Sequence, residues 1–179
     1  MSTLIWKIVP HSFTGKGARG LGLPMKVVLQ RVRRGQVSVS GETIGECGKG
    51  FVILVGVRQG DGQAEAIYLA NKVANLRVFE DEAGKMNLSI LDLNPPGEVL
   101  AISQFTLYAD TRKGRRPGFT LAAAPAVAAP LVDFFVQLLI EAGLKVATGR
   151  FGADMLVEIE NDGPVTIIID SAEAIPTTS

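Results

Sequence analysis

The stretch FVILVGV at residues 51–57 carries no polar or charged side chain at any of its positions. Such a run predicts a strand buried on both faces, because a half-exposed strand would alternate apolar and polar residues. A strand covered on both sides requires other elements packed above and below it. The segment GEVLAISQFTLY at residues 97–108 predicts a second buried strand, which passes into a loop at its end.

Shorter elements are predicted around these two strands. Asp61 is expected to cap a helix that runs to about Val78, and a second helix is expected from about Pro125 to Ala142. Turns are predicted at 41–45 and 48–50, and further strands at 26–32, 36–40, 145–148, 156–160 and 165–170. About seven strands and two helices in this order predict an α+β fold, with mixed, largely antiparallel β-sheets and two packed helices in a single domain.

The composition excludes several classes of protein. The chain has 179 residues, of which 47% are hydrophobic, so it can form one core and is too apolar to be disordered. Lys plus Arg and Asp plus Glu number 18 each, which argues against a protein that coats nucleic acid by charge alone. The single cysteine, Cys47, excludes a disulfide framework within the chain. The sequence contains no phosphate-binding glycine motif and no carboxylate cluster, so we expect neither a cofactor nor a metal.

Residues 1–24 differ in character from the rest of the chain. They contain three basic residues and no acidic one, and their apolar stretch is too short for a signal-peptide core or a membrane span. We predict that residues 1–24 are an extension, disordered or not native to the domain, that 25–172 form the domain and that 173–179 are a frayed tail. The only histidine, His11, lies in the extension, so the predicted domain must work without an imidazole.

The segment SQFTLY at residues 103–108 lies where a predicted buried strand ends and releases its side chains and backbone N–H groups from the sheet. Its serine, glutamine and threonine supply donors and acceptors there, and Phe105 offers an apolar face to a base or a side chain. The alternative is a strand that simply emerges at the surface. Spacing alone leaves both interpretations open.

The segment NDGPVT at residues 161–166 lies between two predicted strands. Glycine and proline are common in a hairpin connection and need no functional explanation there. Alternatively, a cis bond between Gly163 and Pro164 would hold two carbonyl oxygens on the same side. Gly163 has no Cβ, so this backbone could approach a ligand closely.

Basic residues are concentrated in two places. Without residues 1–24 the net charge is −3, so basic clusters on this domain favour local phosphate contacts over nonspecific coating. A solvated loop is the alternative. Arg31 lies within a predicted strand and is expected to have a designated partner there. The basic residues near it are Arg33 and Arg34. Those of the loop after Tyr108 are Arg112, Lys113, Arg115 and Arg116.

Taken together, MKVVLQRV at 25–32, SQFTLY at 103–108 and NDGPVT at 161–166 resemble the D-aminoacyl-tRNA deacylases of the Gly-cisPro type. The resemblance extends from Met25 to about Asp170. It implies a cytoplasmic homodimer, with its active site at the subunit interface, that hydrolyses the ester bond of aminoacyl-tRNA as a chirality proofreading step in translation. It implies release of D-amino acids and of glycine, including glycine mischarged on tRNA-Ala.

The resemblance also assigns roles to residues, and it implies that the basic loop at 112–116 binds tRNA. It implies that Gly163 and Pro164 form a cis pair that reaches into the partner's pocket, and that Arg31 steadies this pair by binding a nearby carbonyl. A related animal group has threonine in place of the glycine, and Gly163 favours the strict stereochemical type. The residues expected to line the aminoacyl pocket are Ser103, Gln104, Phe105, Thr106, Ala122, Phe151 and Met155.

A domain without histidine is compatible with this reaction. The ester is already activated, and the vicinal hydroxyl of the terminal adenosine can assist, so the protein needs mainly to position the ester and to stabilise the oxyanion. We therefore expect Thr106 to orient groups rather than to attack. L-substrates would be excluded by crowding against the two carbonyls. Two other functions stay open: a nucleic-acid-binding module without hydrolysis, and a thioester or lactone hydrolase on the same scaffold.

Overall fold

The computed structural model describes residues 24–174. Residues 1–23 of the predicted extension, with His11, and residues 175–179 of the predicted tail lie outside the described residues. The α-helices are α1 (Gln63–Asn75) and α2 (Pro125–Glu141), and short 3-10 helices cover Phe105–Tyr108 and Ser171–Ala174. The strands within this range are β1 (Lys26–Val39), β2 (Glu42–Cys47), β3 (Gly50–Gly56), β4 (Phe79–Glu80), β5 (Met86–Leu88), β6 (Glu98–Ser103), β7 (Lys145–Thr148) and β8 (Leu156–Asp170).

Strand β1 organises the main sheet. It pairs antiparallel with β8 along its whole length, and its other edge pairs antiparallel with β3 in the first half and with β2 in the second. Strands β3, β6 and β7 are parallel neighbours, while β4 and β5 form a separate small antiparallel sheet. The predicted α+β fold, with mixed and largely antiparallel sheets and two packed helices, is confirmed.

Strand β3 is covered on both faces, as its sequence predicts. Phe51 and Ile53 point into the larger core, where α1 and α2 pack on the sheet through side chains such as Leu69 and Phe135. Val52 belongs to a second, smaller cluster on the opposite face. The alternation along β3 therefore divides the interior of the domain into two apolar layers.

The smaller layer is enclosed because the sheet curls until β2 approaches β7. A Cβ added at Gly45 would lie 2.7 Å from the carbonyl oxygen of Thr148, so only glycine allows the two strands to come this close. The sheet is consequently close to a barrel. Its interior includes Leu100 and Ile102 of β6, which brings β6 to the centre of the domain.

Two sequence predictions near the start of the sheet are wrong. The strands predicted at 26–32 and 36–40 are one continuous strand, β1, which ends at Val39. The turn predicted at 41–45 is only the dipeptide Ser40-Gly41, where both residues have positive φ (51° and 83°), and β2 begins at once with Glu42. A two-residue hairpin connection of this type requires positive φ at both positions. Strand β2 was not predicted because its sequence, ETIGEC, is mostly polar or glycine.

The start of α1 also differs from the prediction. Gly62, not Asp61, is the N-cap residue, and its N–H donates to the Glu65 carboxylate at 2.9 Å. The Asp61 carboxylate instead accepts the N–H of Arg58 at 2.6 Å and closes the preceding turn. The helix ends at Asn75 rather than near Val78, whereas α2 begins at Pro125 as predicted.

The hairpin predicted around NDGPVT is absent from the described chain. Residues 156–170 form one strand, β8, in which Gln30 pairs with Thr166 and Val32 with Asn161. Residues 162–165 of β8 therefore lie opposite Arg31 alone, so the segment is a four-residue bulge in a continuous strand. Between residues 24 and 174, no helix is both long and apolar enough to cross a membrane.

Candidate active site

A cavity of about 590 Å³ opens at the end of β6. Three segments that are distant in the sequence form its walls: 102–105, 119–128 and 151–157. Of the residues predicted to line a pocket, the structure brings together Ser103, Gln104, Phe105, Ala122, Phe151 and Met155. Sequence patterns did not reveal Phe119, Pro125 and Asp154, which also line the cavity.

The end of β6 explains why polar side chains reach this cavity. The N–H of Gln104 donates to the carbonyl of Val55 at 2.8 Å, after which the chain turns into the 3-10 helix of Phe105–Tyr108. The sheet therefore no longer positions the backbone beyond Gln104. Tyr108 is buried and anchors this turn, because its hydroxyl donates to the carbonyl of Pro24 at 2.7 Å.

Thr106 is exposed beside the cavity and does not line it directly. The side-chain amide of Gln104 donates to its Oγ1 at 2.5 Å. This bond occupies the hydroxyl as an acceptor and leaves its proton available to another acceptor. Among the described residues that line the cavity, Asp154 alone is charged. The site thus supplies hydrogen-bonding groups and apolar surface rather than an activated nucleophile with an adjacent base.

One wall of the cavity is held by the loop that follows β3. The N–H of Ala123 donates to the carbonyl of Val57 at 3.0 Å, and Gln59 bonds the carbonyls of Leu121 and Thr120 at 3.1 and 2.8 Å. At the mouth, the rings of Phe105 and Phe119 meet edge to face with centroids 5.0 Å apart. The segment 119–123 is thereby attached to the residues that follow β3, and Phe119 holds it against Phe105.

The opposite wall depends on a close contact. A Cβ at Gly149 would lie 2.6 Å from Sδ of Met155, so glycine at this position lets the methionine pack down beside Ile102. The N–H of Gly149 also donates to the carbonyl of Ala101 at 3.2 Å. Phe151, which is 40% exposed, lies on the rim of the same wall.

The basic loop borders the cavity. Asp110 and Gly118 exchange backbone hydrogen bonds of 2.7 and 2.9 Å, which close the loop, and the next residue, Phe119, lies in the cavity wall. Arg112 binds both carboxylate oxygens of Asp110 at 2.8 and 2.7 Å. These bonds lower the pKa of Asp110 to about 2. The other basic side chains of the loop, which are exposed, are Lys113, Arg115 and Arg116.

Gly163 and Pro164 lie in the bulge of β8, and the peptide bond between them is cis, as the resemblance implies. Both residues are exposed, and neither lines the cavity of its own chain. Gly163 has a φ of 131°, and a Cβ there would lie 2.8 Å from Cγ2 of Val165 and 3.0 Å from Nη2 of Arg31. The backbone geometry and its neighbours both require glycine.

Arg31 has the designated partners that its position in a strand led us to expect. It is buried, its Nε donates to the carbonyl of Asp162 at 3.0 Å, and its Nη1 donates to the carbonyl of Val78 at 2.5 Å. The first carbonyl belongs to the residue directly before Gly163. Arg31 thus links the bulge to the segment that follows α1.

Comparisons with known proteins agree with the resemblance noted in the sequence. The family described as D-Tyr-tRNA(Tyr) deacylase matches residues 28–170. D-aminoacyl-tRNA deacylase from Dehalococcoides mccartyi (strain BAV1) is 57% identical over 149 residues, covering 83% of this chain and 96% of that protein. The protein of the same name from Thermomicrobium roseum is 58% identical, with the same coverage of 83% and 96%.

Two solved structures share the fold. The c-Myc DNA unwinding element binding protein superposes with a TM-score of 0.74 at 42% identity, covering 80% of this chain and 97% of that one. A probable eukaryotic D-amino acid tRNA deacylase has a TM-score of 0.71 at 18% identity, covering 82% and 98%, and shows the fold alone. The fold is that of a single-domain α+β protein, and the relatives named above are hydrolases. The chain belongs to the D-aminoacyl-tRNA deacylase family.

Proposed function

We propose that this protein hydrolyses the ester bond between a D-amino acid and the terminal ribose of tRNA. The observation that carries the proposal is the cavity at the end of β6, which combines Ser103, Gln104 and Phe105 with a basic loop joined to its wall at Phe119. The cavity can accept an amino acid, and the loop offers charge for the phosphates of the attached RNA.

The proposed reaction relies on positioning more than on side-chain acids or bases. Residues 25–179 contain no histidine, and the described wall of the cavity offers a single carboxylate, Asp154. The ester is activated, and the vicinal hydroxyl of the ribose can assist water or polarise the carbonyl. Thr106, oriented by Gln104, holds a reacting group in place while the site stabilises the developing oxyanion.

We further propose a homodimer in which Gly163 and Pro164 enter the cavity of the partner. Strand β8 supports this arrangement because, among the described strands, it pairs with β1 alone. It also exposes large apolar side chains, with Leu156 at 65% and Ile168 at 68%. An unpaired strand edge with exposed apolar side chains is suited to pairing with a second copy of the chain.

Stereochemical selection follows from crowding in this proposal. The two carbonyl oxygens would hold the substrate ammonium and occupy the space that an L side chain requires, while a D side chain would point outward. Glycine has no side chain to exclude, so glycyl-tRNA, including glycine mischarged on tRNA-Ala, is a second substrate. The same reasoning gives broad tolerance among D-amino acids. We propose that the enzyme acts in the cytoplasm without a cofactor.

The decisive experiment compares D-Tyr-tRNA, L-Tyr-tRNA and glycyl-tRNA at equal concentrations, in buffer containing a chelator. We expect release of D-Tyr and glycine well above the rate in buffer and no acceleration for L-Tyr. The proposal fails if stoichiometric protein leaves D-Tyr-tRNA to decay at the rate measured in buffer. Hydrolysis that stops when the chelator is added would refute the cofactor-free reaction.

A second candidate is a nucleic-acid-binding module that performs no hydrolysis. The exposed basic loop favours it, together with the 42% identical protein whose name describes binding to DNA. This function predicts salt-sensitive binding that does not depend on the amino acid. Equal affinity for D-aminoacylated and deacylated tRNA, without ester cleavage, would favour it over the deacylase.

A further inference from the structure

We propose that Asn161 is a positioning residue that sets the conformation of the bulge at residues 162–165 and thereby the stereochemical selectivity of the enzyme. The part of this inference that concerns selectivity rests on the proposed function. The part that concerns the bulge rests on hydrogen bonds in the described chain. Asn161 would act through the backbone and would not contact the substrate.

The bulge deprives its own backbone of partners in the sheet. Between the pairs Gln30–Thr166 and Val32–Asn161, residues 162–165 face Arg31 alone. One residue of β1 cannot supply ladder bonds to four residues of β8. Within the bulge Val165 is buried, and because buried backbone N–H and C=O groups require partners, a side chain must provide them there.

Asn161 supplies such partners at the C-terminal side of the bulge. Its Oδ1 accepts the N–H of Val165 at 2.9 Å, and its Nδ2 lies 3.4 Å from the carbonyl oxygen of the same residue. The same Nδ2 donates to Oγ1 of Thr166 at 3.3 Å, which also accepts from Gln30 of β1 at 3.3 Å. One side chain thus spans the bulge and joins it to the intact ladder.

The position of Val165 is transmitted directly to Gly163. Val165 is 9% exposed, so its N–H has little access to water if Asn161 is removed. Its Cγ2 lies only 2.8 Å from where a Cβ of Gly163 would be, and its nitrogen 3.1 Å from the same point. Pro164, whose ring fixes its φ, is the only residue between Val165 and Gly163, so a shift of Val165 would move the backbone at Gly163, which is the element proposed to exclude L-substrates.

The other side of the bulge is held separately. Arg31 binds the carbonyl of Asp162, and the exposed Arg33 lies 3.2 Å from the carboxylate of the same residue. With these bonds alone, only the first residue of the bulge would be attached to β1. The chain therefore needs Asn161 to hold the second end, and neither composition nor spacing indicated this role.

Hydrogen exchange tests the structural half of the inference without reference to activity. In the full chain, the Val165 amide should exchange at least about 10-fold faster in Asn161→Ala than in the wild type. Asn161→Asp retains an acceptor for this N–H and should keep it protected. The matched control is Gln36→Ala, which removes an exposed amide that links β1 to Glu158 of β8 away from the bulge. Unchanged exchange of Val165 in a folded Asn161→Ala variant would overturn the proposal.

Selectivity tests the functional half. The ratio of kcat/KM for D-Tyr-tRNA to that for L-Tyr-tRNA should fall by about 10- to 100-fold in Asn161→Ala, since small displacements of positioning groups have effects of this size. Asn161→Asp should fall between this variant and the wild type, and Gln36→Ala should keep the wild-type ratio. If Asn161→Ala does not fold, the selectivity ratio is measured in Asn161→Asp, which lacks the Nδ2 donor to Val165 and Thr166. A wild type without deacylase activity refutes the proposed function, whereas an active wild type with an unchanged ratio in both variants refutes this inference.

Discussion

Nε of Arg31 lies 3.0 Å from the carbonyl oxygen of Asp162, the residue that precedes Gly163, although 131 positions separate the two in the chain. The same guanidinium donates to the carbonyl of Val78. A planar group with several donors can satisfy both carbonyls at once, which a lysine ammonium on a flexible stem cannot do with the same geometry. The exposed bulge of β8 is thereby connected to the core of the domain.

The first prediction concerns this connection. Arg31→Ala removes a buried donor from two carbonyls and should lower the free energy of unfolding by about 2–4 kcal/mol. Arg31→Lys retains the charge and should recover part of the stability but not the selectivity for D-substrates. Urea unfolding and paired D-Tyr and L-Tyr deacylation assays measure the two effects. Arg34→Ala, on the exposed side of β1, is the control and should change stability by less than about 0.5 kcal/mol. Equal stability of Arg31→Ala and Arg34→Ala would contradict the argument.

A second prediction concerns Gly163→Ala. The new Cβ would lie 2.8 Å from Val165 and 3.0 Å from Arg31, so the bulge must shift, and D-Tyr-tRNA hydrolysis should fall by about 100-fold. Gly84→Ala is a matched control, since Gly84 also has positive φ (72°) but a Cβ added there would meet no atom within 4 Å. Both variants carry a backbone penalty, which is about 1 kcal/mol at Gly84 and larger at Gly163, whose φ of 131° lies outside the left-handed helical region. In a steady-state assay, Gly163→Ala should lose activity and Gly84→Ala should not. Comparable losses of activity in the two variants would assign the effect to backbone strain alone.

Thr106 and Gln104 provide a third prediction. If Thr106 orients a group and is not the nucleophile, Thr106→Ala should reduce kcat by less than about 10³-fold, the upper range for loss of one stabilising donor. Thr106→Ser retains the hydroxyl and should recover most of the activity. Gln104 holds the hydroxyl of Thr106, so the two side chains act together. The loss of transition-state stabilisation in the double variant Gln104→Ala/Thr106→Ala should therefore be smaller than the sum of the losses in the two single variants. A loss above about 10³-fold with unchanged substrate binding would show that the threonine has a chemical role.

The fourth prediction concerns the basic loop. Replacing Lys113, Arg115 and Arg116 by alanine together should raise KM for D-aminoacyl-tRNA and leave the hydrolysis of a D-aminoacyl-adenosine nearly unchanged. The slope of the logarithm of the tRNA association constant against the logarithm of salt concentration should decrease in magnitude by about 2.1–2.7, since each of the three lost phosphate contacts contributes about 0.7–0.9. Lys85→Ala, in the exposed loop between β4 and β5, is the control for a general change of charge. A tRNA affinity and salt slope equal to those of the wild type would remove the loop from the RNA-binding surface.

The fifth prediction concerns Asp61, whose pKa is raised to about 6 because its carboxylate is largely withdrawn from water. The folded protein then binds a proton more tightly than the unfolded chain, so this group makes the protein less stable as pH rises from about 4 to 7. Asp61→Asn should therefore gain stability relative to the wild type over this range, by up to about 1 kcal/mol after allowance for solvent screening. Thermal unfolding at several pH values measures the difference.

Asp92→Asn is the control of opposite sign. Hydrogen bonds from Ser89 lower the pKa of Asp92, so this carboxylate stabilises the folded state above its unfolded pKa and ceases to do so as pH falls. Asp92→Asn should therefore be less stable than the wild type at pH 7, and the deficit should shrink at low pH. The same pH trend in both variants would refute the assignment of the Asp61 effect to burial.

Much of the candidate site could be predicted from sequence because its residues lie in short continuous motifs. SQFTLY follows a run of apolar residues, and NDGPVT carries a glycine and a proline. Phe119 was not predicted, because it belongs to a loop without periodicity and reaches the cavity only through the bonds that attach residues 120–123 to the end of β3. Asn161 was not singled out for a related reason. A single asparagine next to a turn-like sequence indicates a turn, and its bonds to Val165 depend on the register of β8.

The sequence by itself determined which segments are buried and which motifs are present, because hydrophobic periodicity and local residue types act over a few neighbouring positions. The order of these segments determined the α+β class. Composition determined that residues 25–179 contain no imidazole. The tertiary structure alone decided that residues 161–166 are a bulge and not a hairpin. That outcome depends on how β8 pairs with β1, between residues 118 (Ser38 and Leu156) to 144 (Lys26 and Asp170) positions apart. The free energy of many ladder bonds there outweighs the local preference of glycine and proline for a turn.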